Sequence, residues 1–145
     1  MRAVIQRVLN ASVETDGRIV GEIGKGLLVY LSVGKGDGEK QADFIAGKIA
    51  GLRIFSDDAG KMNLSVQDVC GQILLVSNFT LHGDCRKGRR PGLDLAADPS
   101  IARLLYEKTA QTLADAGVKV ATGVFGANMR VSSVNDGPVT FIIDY

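Results

Sequence analysis

Val4-Ile5-Gln6-Arg7-Val8-Leu9-Asn10-Ala11-Ser12-Val13, then Asp16-Gly17, then Arg18-Ile19-Val20-Gly21-Glu22-Ile23 is the stretch that decides the fold class. The two runs are rich in β-branched and aliphatic residues, and Asp-Gly between such runs is a strong hairpin signal, because glycine and aspartate tolerate the positive φ of a tight turn. A third run, Leu27 to Val33, follows Gly24-Lys25-Gly26. The N-terminal third therefore reads as an antiparallel meander.

Working outward, Gly34-Lys35-Gly36-Asp37-Gly38 breaks the sheet, and Ala42, Ile45, Ala46, Ile49 and Leu52 then recur at helical spacing. The glycine-rich break is no phosphate loop, since Lys40 is followed by Gln41 rather than Ser or Thr. Strand signals return at 53–55, 64–66 and 72–79, where Ile73-Leu74-Leu75-Val76 has the unbroken apolar character of a central strand. Residues 82–97 form the longest loop. Asp98-Pro99 opens a second helix as N-cap and first helical residue, with Ala102, Leu105, Tyr106, Thr109, Ala110, Leu113 and Ala116 on one face and Gly117 at its end. Runs 119–124, 129–134 and 139–143 read as closing strands. The pattern is that of one α+β domain over residues 1–145, a mostly antiparallel sheet with two packed helices.

Composition sets the outer limits. A 145-residue chain buries roughly 68–70% of its unfolded surface, so its core needs no metal or disulfide. Hydrophobic residues at 46% and charged residues at 23% are ordinary globular values. No apolar run approaches the roughly 20 residues of a membrane helix, and the start of the chain lacks the apolar block of a signal peptide, so a cytoplasmic location and no membrane partner are expected. Cys70 and Cys85 read as free thiols. His82 and Cys85 have ligand-like spacing, but a structural zinc needs four ligands, so neither a metal nor another cofactor is expected. A net charge of +1 disfavours binding DNA or RNA through overall charge while leaving room for a local basic patch.

Two motifs carry the functional signal: Ser77-Asn78-Phe79-Thr80-Leu81 at the end of the central strand, and Asn135-Asp136-Gly137-Pro138-Val139-Thr140 near the C-terminus. Taken alone, the second is a set of turn formers. Together with Gly126-Ala127-Asn128-Met129-Arg130-Val131, Ile5-Gln6-Arg7-Val8, Gly21-Glu22-Ile23-Gly24, Arg53-Ile54-Phe55-Ser56-Asp57 and Gly60-Lys61-Met62-Asn63, they resemble the D-aminoacyl-tRNA deacylase family along essentially the whole chain. The chain departs from that pattern at Asn78, where the family usually has Gln, and at Pro91-Gly92-Leu93, where Pro-Ser-Phe is more usual.

The resemblance implies a curved, barrel-like sheet and a homodimer in which each Gly137-Pro138 segment, with a cis peptide, reaches into the partner's site. It implies an aminoacyl-tRNA acceptor end as substrate, hydrolysis of its ester, and catalysis by main-chain groups near Phe79 and Thr80, with Ser77 and Thr80 as positioning groups and the 2′-OH of the terminal adenosine helping to activate water. Gly137 and Pro138, with Arg7, Met129 and Asn135 around them, are the residues expected to bind the substrate ammonium and select chirality. A site that excludes an L side chain has nothing to exclude in glycine, so glycyl-tRNA is an expected substrate too.

The residues also permit other chemistry. Ser77, Thr80, His82 and Asp84 are the parts of a hydrolytic triad, yet four residues within eight positions hardly converge as base, nucleophile and orienting acid, and a loop histidine in solvent is the plainer reading. Thr80 as a lone nucleophile lacks an evident base. Arg86, Lys87, Arg89 and Arg90 place four cations in five positions in the loop that follows Ser77 to Leu81, suited to acceptor-stem phosphates, although most charge runs are only solvated loops. A noncatalytic RNA-binding module, or a relative acting on L-alanyl-tRNA, are the competing functions.

Overall fold

The computed structural model describes residues 1–145. The elements are β1 (Arg2–Thr15), β2 (Arg18–Ile23), β3 (Gly26–Ser32), α1 (Glu39–Gly51), β4 (Phe55–Ser56), β5 (Met62–Leu64), β6 (Gln72–Ser77), a 3-10 turn (Phe79–His82), α2 (Pro99–Asp115), β7 (Lys119–Thr122) and β8 (Arg130–Asp144). The hairpin signal holds: Asp16 and Gly17 both take positive φ, 51° and 76°, as a two-residue turn matched to strand twist requires.

The meander does not form. Both β2 and β3 pair antiparallel with β1, β2 along Ala11 to Thr15 and β3 along Arg2 to Val8. β1 is long enough to serve two neighbours in succession, while β8 pairs with it from Arg2 to Glu14 on its other edge. The sheet order is β2-β1-β3-β6-β7 with β8 added on β1, and β4 and β5 form a separate two-stranded piece. β6 is central, and its pairings with β3 and β7 are parallel. A strand flanked by parallel neighbours is covered on both faces, which accounts for the unbroken apolar run 73–76.

Alternation along β3 and β6 divides the interior in two. Leu27, Val29, Ile73 and Leu75 face the helices and join Ile45, Ile49, Phe55 and Leu113 in the main core. Leu28, Leu74 and Val76 point the other way and pack with Val8, Val13 and Ile23 inside the curve of the sheet. That curve nearly closes: a Cβ on Gly21 would lie 2.6 Å from Thr122 O, so β2 rests against β7.

α2 begins at Asp98 and Pro99 as expected, without a side-chain cap bond from Asp98, and Gly117 (φ 85°) ends it. Leu105, Tyr106, Thr109 and Leu113 are its buried face. Residues 130–144 are one strand rather than two. Gln6 pairs with Thr140 and Val8 with Asn135, so a single β1 residue, Arg7, stands opposite the four residues 136–139, which bulge out of β8.

Candidate active site

The central strand β6 delivers Ser77 to the sheet's edge, opposite Leu31 of β3. Asn78 N–H donates to Leu31 O (2.8 Å), and the chain then winds into the 3-10 turn closed by Leu81 N–H to Asn78 O and Gly83 N–H to Thr80 O. The N–H groups of Phe79 and Thr80, at the start of this turn, have no partner in the protein. They are two adjacent main-chain donors on an exposed segment, with the Phe79 ring largely in solvent.

Beside them opens a cavity of about 510 Å³, lined chiefly by apolar side chains. Ser77, Asn78 and Phe79 form one wall, Tyr106 and Ala102 of α2 another, and Phe125 and Met129 a third. None of its lining residues is an acid, a histidine, a cysteine, a lysine or an arginine. Tyr106 is held by its hydroxyl, which donates to Leu75 O at 2.7 Å, and burial raises its pKa above the ordinary phenol value. Phe125 lies between Tyr106, with ring centroids 5.8 Å apart, and the Arg103 guanidinium, 5.4 Å from its centroid. Sequence reasoning missed these aromatic walls, because Tyr106 reads as core from helical periodicity and Phe125 as a loop residue.

The residues singled out as a triad do not converge. Thr80 Oγ1 donates to Asn78 Oδ1, so the shortened side chain at 78 is tied to the threonine hydroxyl. Asp84 is taken by Arg86 through Nε to Oδ1 (2.8 Å) and Nη2 to Oδ2 (2.7 Å), and these bonds hold its carboxyl well below the usual range. His82 is not the solvent-exposed loop residue expected. It ends the 3-10 turn, half-buried, with Nδ1 2.6 Å from Ser32 Oγ. Burial lowers its pKa first, followed by the Met1 ammonium and Arg2, with Asp37 and Asp144 opposing. No group of three or more His, Cys, Asp or Glu is placed to hold a metal ion.

The second motif is a separate assembly. The Gly137-Pro138 peptide is cis, and the bulge around it is clamped from β1. Arg7 Nε donates to Asp136 O (3.0 Å), Arg7 Nη1 to Ile54 O (2.7 Å), and the Arg7 guanidinium also pairs with the Asp136 carboxylate at 3.0 Å. Asn135 Nδ2 donates to Arg7 O (2.9 Å) and Val139 O (3.1 Å). Arg7 is thus fixed to the bulge by its hydrogen bonds and its ion pair. Neither Gly137 nor Pro138, nor Arg7 or Asn135, lines the cavity, whereas Met129 does.

In the loop after the turn, mutual N–H to O bonds between Asp84 and Gly92 (2.8 and 2.9 Å) set off residues 85–91 as an exposed finger. Within it Arg86 is engaged by Asp84, while Lys87, Arg89 and Arg90 form no ion pair.

Comparison with known proteins agrees along the full length. The family described as "D-Tyr-tRNA(Tyr) deacylase" matches residues 4–144. Proteins named D-aminoacyl-tRNA deacylase from Geobacter sulfurreducens and Pelobacter propionicus are each 58% identical over 144 residues, covering 99% of this chain and 95% and 99% of theirs. Among solved structures, "c-Myc DNA Unwinding Element Binding Protein" superposes with a TM-score of 0.94 at 37% identity, over 100% of this chain and 99% of the other. "Structural Analysis of a probable eukaryotic D-amino acid tRNA deacylase" has a TM-score of 0.83 at 18% identity, over 99% and 98%, a likeness of fold.

Proposed function

The chain belongs to the D-Tyr-tRNA(Tyr) deacylase family, and on that footing we propose that it is a hydrolase that cleaves the ester of D-aminoacyl-tRNA, releasing the free D-amino acid and tRNA. The observation that carries the reading is the pair of unpartnered N–H groups of Phe79, which lines a cavity with no acid or base in its lining, and of the next residue, Thr80, just outside that lining. An aminoacyl ester is already activated. Main-chain donors that hold its carbonyl and stabilise the oxyanion supply much of the catalysis without a nucleophilic side chain. Water attacks the carbonyl carbon, the tetrahedral oxyanion rests on the two N–H groups, and the C–O bond to the ribose then breaks. The neighbouring 2′-OH orients and activates the water, and the proton that the water gives up passes through it to the departing 3′-oxygen. Ser77 and Thr80 position the substrate.

The apolar cavity suits the flat base of the terminal adenosine, which gains stacking against Tyr106 and Phe125. The Gly137-Pro138 bulge takes the substrate ammonium on its main-chain carbonyls, with Arg7 and Asn135 holding it in place. With ammonium and ester both pinned, an L side chain points into the wall and a D side chain points out, so selection is by exclusion and glycyl-tRNA passes. Because the bulge does not line its own chain's cavity, a second subunit supplies it. Support for such a homodimer comes from β8, which lies at an edge of the sheet with Val134, Phe141 and Ile142 exposed. Lys87, Arg89 and Arg90 then hold acceptor-stem phosphates.

The test is ester loss from D-tyrosyl-tRNA and L-tyrosyl-tRNA incubated with purified protein. Rapid release from the D ester and none from the L ester is expected. Retention of tRNA without release from either ester would mark a noncatalytic RNA-binding module, and preference for L-alanyl-tRNA would overturn the chiral assignment.

A further inference from the structure

Ser32, at the end of β3, is one of the chain's three buried polar residues, at 2% exposure. Its Oγ lies 2.6 Å from His82 Nδ1 and 3.4 Å from Phe79 O. A hydroxyl has one proton to give. If Ser32 gives it to His82, the Phe79 carbonyl receives nothing from it. If His82 carries its proton on Nδ1 and donates to Ser32 Oγ, the serine proton is free for Phe79 O, and both contacts are made. Phe79 C=O and Thr80 N–H are the two ends of one peptide group.

We propose that Ser32 and His82 are positioning residues for the ester hydrolysis, forming a relay in which His82 Nδ1–H donates to Ser32 Oγ, Ser32 O–H donates to Phe79 O, and the Phe79-Thr80 peptide presents a polarised, fixed N–H to the oxyanion. The inference rests on the role given above to the Thr80 N–H. Hydrogen bonds in series polarise one another, so a donor on the carbonyl side of a peptide strengthens its N–H as a donor. The relay also holds the peptide plane, and preorganised donors act because they need not turn as charge develops.

The surroundings fit that duty. The ring of His82 lies against the Gly34 main chain so closely that a Cβ there would sit 2.8 Å from Nε2. Arg2 Nη1 donates to Leu81 O (2.9 Å), pinning the other side of the turn. Asp37 Oδ2 accepts from Gly34 N–H (2.6 Å) and pairs with the Met1 ammonium (2.7 Å), fixing the wall behind the ring. His82 itself does not line the cavity, so it acts through the turn and is no general base for the substrate.

The chain has one histidine, which permits a direct test. In protein with 15N-labelled histidine at roughly pH 8, above the ordinary imidazole range, the relay requires a protonated Nδ1 and a bare Nε2. A bare Nδ1 would overturn it. In kinetics with D-tyrosyl-tRNA, Ser32→Ala and His82→Leu are expected to lower kcat about three- to tenfold, less than the roughly 10²–10³ for loss of an oxyanion donor itself. KM should stay within about twofold, since a polarised donor gains most where the carbonyl oxygen becomes charged, in the transition state. His82→Asn, whose Nδ2 can stand in for Nδ1–H, should recover most of the loss. Unchanged kcat in Ser32→Ala, or His82→Asn as impaired as His82→Leu at equal melting temperature, would sink the relay while leaving the deacylase reading intact. An inactive wild-type protein would sink that reading, and the relay with it.

Discussion

At the scale of single residues, the chemistry turns on which polar groups are occupied. Thr80 Oγ1 is bound to Asn78 Oδ1, His82 to Ser32 and Asp84 to Arg86, so no side chain stands ready to take a proton from Thr80 or Ser77. Thr80→Ala and Ser77→Ala are therefore expected to keep a substantial part of kcat on D-tyrosyl-tRNA, each losing about tenfold or less, within the range of a positioning effect. Terminal 2′-deoxyadenosine should cost more. Single-turnover assays decide the matter, and complete inactivation by Thr80→Ala with the fold intact would make the threonine a covalent nucleophile. The basic finger is the second residue-scale test. Lys87, Arg89 and Arg90 are free of ion pairs while Arg86 is not, so neutralising Arg89 and Arg90 together should weaken tRNA binding and reduce the salt slope by up to about one unit per lost phosphate contact. Chirality of the preferred ester should not change. Titrations at several salt concentrations read both.

At the scale of elements, the site depends on how closely β3 and β6 approach. A Cβ on Gly26 would fall 1.9 Å from Gln72 O, a main-chain atom that cannot swing aside. Gly26→Ala should accordingly cost about 3 kcal/mol or more, by displacing the parallel register that carries Ser77 to the cavity. Urea unfolding measures the loss. The apolar run 73–76 announced a central strand, but the parallel pairing on both its sides was invisible, because strand direction is set by the crossovers through α1 and α2 and not by local pattern. The expected meander failed for a related reason. Hairpin chemistry places β2 beside β1 and says nothing of β3, which found the remaining length of a 14-residue strand.

At the scale of the whole molecule, one chain holds the donors and the cavity in one place and the clamped Gly137-Pro138 bulge in another. If the bulge completes a partner's site, disrupting the β8 face must disable both copies. Ile142 is 66% exposed, and Ile142→Asp should yield a monomer by analytical ultracentrifugation with turnover reduced at least about tenfold, since burying an unpaired carboxylate in an interface is strongly unfavourable. An active monomer would place the whole site in one chain.

Hairpin chemistry at Asp16-Gly17, helical spacing in α1 and α2, the apolar run of β6 and the two signature motifs are properties of neighbouring residues, and the sequence by itself determined them. Arg7 and Asn135 were legible as companions of the bulge only through family likeness. Two of their hydrogen bonds, Arg7 to Asp136 and Asn135 to Arg7, link positions about 130 residues apart. Only the tertiary structure decided the occupancy of the polar groups: that Asn78 binds Thr80, that Ser32 sits beneath Phe79 and His82, and that Tyr106 and Phe125 wall a cavity. Those contacts join β3, the turn and α2 across the fold, and a hydrogen bond depends on distance and direction between atoms that sequence spacing does not constrain.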